Sequence, residues 1–303
     1  MKLRHRFRKV AIEANKAGFC HGMTRHVAAY FQRHSDTLIV TFDNMKSRDG
    51  VGPAYPWGFK FVRDQGHSHL GLMMSRRNDW FRHADLNDFF DGLKADGFFA
   101  GYRNVVFYGS SMGGYGALNY AAAAPGCRIV AFTPQTSLDP SVVPFETRYR
   151  RGFERGSWTG GAYEDGVGGA QSAEQVVVFA DPYHPLDGAH VARLPTHNLV
   201  WAKCPNMGHD VARMLKHMEL LTECVLQAWT GDLTPDGYYQ RMRSARGQTQ
   251  ALARAVLNKG IATGHAHLVQ NALARLSQSR PEWKFPAIHS SAKAALGGSK
   301  AAP

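Results

Sequence analysis

A chain of 303 residues, 44% hydrophobic and 11% aromatic, suits one large core with a small appendage and excludes disorder over most of its length. Cys20, Cys127, Cys204 and Cys224 lie far apart without C-x-x-C spacing, which argues against a zinc ribbon or a disulfide framework and fits a reducing compartment. The formal net charge of +12 favours anionic partners, but no nucleic-acid module with diagnostic spacing accompanies it, so no nucleic-acid role is expected.

The opening stretch MKLRHRFRKVAIEANKAG is basic and has no apolar h-region, so it does not read as a secretory signal. No run reaches about 18 consecutive apolar residues, so no membrane span is expected, and a cytoplasmic location follows by elimination. Short apolar runs at 9–13, 37–42, 104–108, 128–133, 175–179 and 198–202 read as strands, several of them nearly continuous Val, Ile, Leu and Phe, as in a parallel sheet buried on both faces. Helical patterns fall between them at 22–33, 84–96, 114–124, 189–194 and 211–230. This alternation predicts an α/β fold, a mostly parallel open sheet with helices on both faces.

Two segments break the rhythm. Residues 45–82 are aromatic and basic, with a hairpin or strand expected at 59–63 and 70–74. Residues 141–172 form a Gly- and Arg-rich insertion between two sheet strands, the length at which loops become functional or disordered. The main domain is expected over 1–235. A C-terminal helical hairpin is expected over 236–280, with helices at 238–257 and 263–276 joined by Asn-Lys-Gly, and a disordered tail over 290–303.

The stretch NVVFYGSSMGGYG at 104–116 carries the chemistry. Its glycines do not match G-x-G-x-x-G, and no lysine follows to make a phosphate loop. Gly109-Ser110-Ser111-Met112-Gly113 instead reads as G-x-S-x-G after a strand and before a small-residue helix. Such a turn holds its serine in a strained pose, needs small residues two positions to either side, and lifts Ser111 above the sheet edge with the Met112 N–H aimed at a developing oxyanion. A serine hydroxyl needs a base, and the base an orienting acid. In the chain order Ser, acid, His, the acid follows a later strand and the His the last one. Asp181 directly follows the 175–179 run, with Asp187 as its rival in the same loop, and His209 follows the 198–202 run. A second oxyanion donor is expected after the 37–42 run, at Asp43 or Asn44.

On GSSMG, VVVFADPYHP and NMGHD, over roughly residues 9–230, the sequence resembles the α/β-hydrolase superfamily of serine esterases and acyltransferases. The resemblance implies an acyl-enzyme mechanism without a cofactor, and its D-P-x-x-P pattern favours Asp181 over Asp187. An HGGG run is absent. The 141–172 insertion falls where such proteins often carry a cap. There Arg148, Arg151 and Trp158 are candidates to hold a small-molecule or glycan acyl substrate, anionic or sugar-bearing, because guanidinium forks suit anions and aromatic faces suit sugar rings. His67-Ser68-His69 lacks a third ligand at useful spacing, so no metal is expected. The competing reading is a non-enzymatic accessory protein on a hydrolase scaffold, serving a polysaccharide or secretion system.

Overall fold

The structure is a computed structural model that describes residues 5–23, 26–45, 55–75, 79–158 and 162–298. Helix α1 (His5–Ala14) precedes β1 (Gly18–Gly22), β2 (Val27–Gln32) and β3 (Thr37–Phe42). Next come α2 (Phe59–Asp64), β4 (Ser68–Met74), α3 (Ala84–Ala95), β5 (Asn104–Ser110), α4 (Met112–Tyr120) and β6 (Arg128–Phe132). The 141–172 insertion contributes α5 (Arg150–Arg155) and α6 (Gly166–Ser172), followed by β7 (Gln175–Ala180), α7 (Pro185–Ala192), β8 (Leu199–Lys203), α8 (Val211–His217) and α9 (Leu221–Thr230). Four further helices close the described chain: α10 (Pro235–Arg246), α11 (Gln250–Ala262), α12 (Ala266–Ser279) and α13 (Pro286–Gly298).

The strands form one sheet in the order β1-β2-β4-β3-β5-β6-β7-β8. β2 runs antiparallel to both β1 and β4, and every other neighbouring pair is parallel. The period-2 pleat sends successive side chains to opposite faces, and both are covered. Val40, Phe42, Phe107 and Ile129 pack beneath α3 and α4. Ile39, Val106, Val130 and Phe132 pack beneath α8, α9 and α10. Burying each such side chain stabilises the fold by about 1.5–3 kcal/mol.

The five parallel strands expected at 37–42, 104–108, 128–133, 175–179 and 198–202 are present to within a residue or two. The edge of the sheet departs from expectation. Residues 9–13 lie in α1, because Val10 and Ala14, four apart, form a helical stripe against Ala28 and Tyr30 of β2. The helix expected over 22–33 is not formed among the described residues: Gly22 ends β1 and Val27–Gln32 is β2, whose Ala-rich VAAYFQ reads as helical although every side chain is buried between covering layers. Residues 59–63 form α2, which starts at Gly58 with φ 78°. The single helix expected over 211–230 breaks into α8 and α9, with Glu219 at φ 59° between them.

Asn-Lys-Gly at 258–260 lies inside α11, and the chain turns instead at Gly264, φ 79°. Residues 290–298 continue α13, and 299–303 lie outside the described residues. α11 to α13 share their own small core of Leu257, Val269, Leu273, Phe285 and Ile288. α10 is tied to the sheet. Its Tyr238 hydroxyl donates to the Lys203 carbonyl at 3.2 Å and lies 3.0 Å from Cys204 Sγ.

Candidate active site

A tight bend joins β5 to α4. Ser111 sits there at φ 54°, ψ −119°, a conformation that costs a non-glycine residue about 1–3 kcal/mol and persists only when its surroundings impose it. The Ser111 N–H donates to the Phe132 carbonyl at 2.8 Å, and its own carbonyl accepts from Tyr115 N at 2.9 Å. Glycine is required on both sides by close approach. A Cβ on Gly109 would stand 2.1 Å from the Gly113 carbonyl oxygen, and one on Gly113 would stand 2.5 Å from that of Phe42. The second contact lays the end of β3, with Asp43 and Asn44, alongside the first turn of α4. Met112 is the first residue of that helix, where backbone N–H groups lack intrahelical acceptors.

His209 arrives from the loop after β8. That loop turns through Asn206 at φ 64° and Gly208 at φ 60°. The His209 carbonyl accepts from Thr133 Oγ1 at 3.3 Å, fixing it to the end of β6. Its Nε2 lies 3.0 Å from Ser111 Oγ, and its Nδ1 lies 2.8 Å from Asp187 Oδ2. The arrangement fits the tautomer with Nδ1–H donating to the carboxylate and the Nε2 lone pair facing the serine hydroxyl.

The carboxylate at His209 thus belongs to Asp187. Asp181 is buried beneath the loop, its Oδ1 accepting from Tyr183 N at 2.9 Å and its Oδ2 from Gly208 N at 2.8 Å. It holds the histidine's loop and has no contact with the imidazole. The D-P-x-x-P pattern pointed to the first carboxylate after β7, but the chain turns through 182–184 and returns an aspartate to the site in the first turn of α7. Nor does Asp187 cap that helix. His184 does, its Nδ1 accepting from Asp187 N at 3.2 Å. Asp187 has no exposed side-chain surface, and its other oxygen, Oδ1, accepts from Arg148 Nη1 at 2.8 Å. Burial pushes its carboxyl up, but the hydrogen bond and charge of His209 and the Arg148 guanidinium outweigh that and hold it below the usual carboxylate range. Asp210, next to the histidine, accepts from Arg213 Nε at 2.6 Å.

The insertion supplies the rest of the site. The Tyr149 hydroxyl lies 3.4 Å from His209 Nε2, and its ring packs 4.8 Å from that of Trp80. Behind it, Glu146 accepts from Arg148 Nη2 at 2.5 Å and from His190 Nε2 at 3.1 Å. Burial raises the Glu146 carboxyl, but these bonds overcome it and bring the group down to about 2. His190 Nδ1 accepts from Thr136 N at 3.1 Å, and burial above all lowers the imidazole below the ordinary histidine range.

The expected substrate contacts are redistributed. Arg148 is held by Glu146 and Asp187, and Arg150 by Glu154 at 3.0 Å. Trp158 is buried, packed on Tyr115 and Phe153 with the Arg82 guanidinium over its ring, so it belongs to the main core beneath α4. Arg151 is exposed on α5. A cavity of about 630 Å³ opens within the insertion, lined by Leu138, Pro140, Pro144, Tyr149, Phe153 and Glu154 among others. Tyr149 is common to this cavity and to the Ser111–His209 pair.

His69 Nε2 lies 2.7 Å from Thr41 Oγ1, and burial pushes the imidazole down to about 3. Among the described residues no group of three or more His, Cys, Asp or Glu is placed to hold a metal ion, and no helix is long and apolar enough to cross a membrane.

No protein-family model matches the chain, and no curated protein matches it. Solved structures do. The capsule O-acetyltransferase of Neisseria meningitidis serogroup A is 12% identical with a TM-score of 0.42, covering 66% of this chain and 92% of that one. An α/β hydrolase from the metagenome of Mar Chica lagoon sediments, Morocco, is 16% identical with a TM-score of 0.40, covering 70% of this chain and 98% of that one. A monoacylglycerol lipase of Paleococcus ferrophilus is 10% identical with a TM-score of 0.42, covering 68% of this chain and 99% of that one.

Proposed function

We propose that this chain, whose open, mostly parallel sheet and strand-to-helix elbow are of the α/β-hydrolase type, is a serine hydrolase or acyltransferase that works through an acyl-enzyme. One observation carries the reading. Three residues far apart in sequence, Ser111, His209 and Asp187, form a hydrogen-bonded chain with spacings of 3.0 and 2.8 Å. A nucleophile within reach of a base, itself oriented by a third group, is the signature of acyl transfer.

In the proposed reaction Ser111 Oγ attacks the acyl carbon of an ester or thioester while His209 Nε2 takes its proton. Asp187 holds the tautomer and stabilises the imidazolium. The oxyanion is received by the Met112 N–H and by a second donor from the end of β3, Asn44 in this proposal, each such donor lowering the barrier by about 3 kcal/mol. His209 then passes the proton to the departing oxygen or sulfur. Water or an acceptor hydroxyl, deprotonated by the same imidazole, attacks the acyl-enzyme and restores Ser111. The proposed substrate is an acyl ester of a small molecule or glycan. The carboxylates on Arg148 and Arg150 count against any requirement for an anion.

A fluorophosphonate probe tests this directly. Wild-type protein is expected to be labelled on Ser111, and Ser111→Ala to lose labelling together with hydrolysis of p-nitrophenyl acetate. Persistent labelling of Ser111→Ala would overturn the assignment, and an unlabelled, inactive wild type would favour the accessory-protein reading.

A further inference from the structure

We infer that Arg148 is a positioning residue for the acid–base pair: its guanidinium, seated between Glu146 and Asp187, sets how strongly the Asp187 carboxylate holds a proton on His209. The inference rests on the serine-nucleophile reading above.

Asp187 divides its two oxygens between His209 and Arg148, with His184 Nδ1 also 3.4 Å from Oδ2. Oδ2 faces His209 Nδ1 at 2.8 Å, and Oδ1 accepts from Arg148 Nη1 at 2.8 Å. Nε and Nη2 of the same guanidinium are taken by Glu146, at 3.0 and 2.5 Å. Side-chain exposure is 21% for Arg148, 1% for Glu146 and 0% for Asp187, so water screens little of this. A cation on the far oxygen draws carboxylate charge away from the imidazole. It keeps Asp187 ionised, so the tautomer is fixed, and it sets a positive charge against the one His209 takes on when it accepts a proton. Glu146 opposes this by offsetting the Arg148 charge. Arg148 and Glu146 therefore act on His209 with opposite signs.

The other groups facing His209 are Ser111 from the elbow, Tyr149 from the insertion, and the His184 ring at 6.1 Å from the start of α7. Asp210 follows it in the chain, with Arg213 as partner, and Asp181 underlies its loop through Gly208 N. His190 lies behind Glu146.

The test is the rate of fluorophosphonate attack on Ser111 from about pH 5 to about pH 9, the window in which an imidazole titrates. It is measured for the wild type and for Arg148→Gln, Arg148→Lys and Glu146→Gln. In Arg148→Gln the acid limb is expected to move up by about half to one pH unit, as for loss of a unit charge several ångströms away whose effect Glu146 had partly offset. Arg148→Lys is expected to keep the wild-type midpoint, and Glu146→Gln to move it down. If Arg148→Gln does not fold, the downward shift in Glu146→Gln and the unchanged midpoint of Arg148→Lys remain as required outcomes. A purely structural role lowers the rate equally at every pH. Unmoved midpoints, or shifts of the same sign in Arg148→Gln and Glu146→Gln, would overturn the inference while leaving the nucleophile intact. A wild type that is not labelled overturns the nucleophile itself, and this inference with it.

Discussion

Lys259 of α11 donates from Nζ to Asn206 Oδ1 at 3.0 Å, and its ammonium lies 4.6 Å from the centre of the Tyr183 ring. Asn206 is in the loop that ends at His209, and Tyr183 is in the loop that leads to Asp187. One side chain of the C-terminal helices thus touches both loops that bring His209 and Asp187 together. Because Lys259 is exposed, Lys259→Met is expected to cost only about 0.5–1 kcal/mol of stability, read by urea titration. A loss of several kcal/mol would mean that the C-terminal helices depend on this contact for docking.

The two aspartates after β7 are expected to separate cleanly in kinetics. Asp187→Asn removes the carboxylate on Nδ1 and is expected to lower kcat for p-nitrophenyl acetate by about 10⁴-fold. Asp181→Asn disturbs the acceptor of Gly208 N and is expected to cost about 1–3 kcal/mol of stability, with a much smaller effect on kcat. The reverse ranking would restore Asp181 as the acid.

Acid sensitivity follows from the buried imidazoles. His69 is pushed from the ordinary 6.5 down to about 3 by burial, and His190 is lowered mainly by burial, so both are neutral when folded. Unfolding lets them take a proton near their ordinary value, so acid favours the unfolded chain. The contribution of His69 is full above about pH 6.5 and declines as pH falls towards 3, and that of His190 declines in the same direction. Glu146 adds a decline of its own, from its ordinary 4.5 towards about 2, as its ion pairs are lost. Melting temperatures measured from neutral pH to pH 5 are expected to fall, and His69→Gln to fall less steeply. Equal slopes would remove His69 from the account.

Within the insertion, Trp158 and Arg151 are expected to behave oppositely. Trp158→Ala empties a packed position between Tyr115, Phe153 and Arg82 and is expected to cost about 3–5 kcal/mol in denaturant unfolding. Arg151→Ala, on the exposed side of α5, is expected to stay within about 0.5 kcal/mol of the wild type.

The central sheet was legible because strands buried on both faces leave unbroken runs such as TLIVTF and QVVVFA. The elbow was legible for a steric reason. Contacts of the kind Gly109 and Gly113 make with backbone oxygens admit no side chain, so the requirement is written in residue type. β2 was not legible, because alanines fill a crowded layer as readily as they form a helix. The carboxylate that meets His209 was legible only as a pair of candidates. Which aspartate faces the histidine depends on how the loop after β7 turns, and neither propensity nor spacing encodes that. The fate of the cap arginines was hidden for a related reason. Arg148 meets its partner Asp187 across 39 residues, and a cation's partner cannot be read from its own neighbourhood in sequence.

The joint between the insertion and α7 limits how the molecule opens. Glu146 and Arg148 are stitched to His190 and Asp187 by bonds that leave three of the four side chains almost without exposed surface. Swinging the insertion away as a hinged flap would break the Arg148–Asp187 and Glu146–His190 bonds together and leave buried Asp187 and His190 without those partners. Entry to Ser111 is therefore expected past the Tyr149 ring, by rotation of single side chains along a fixed doorway.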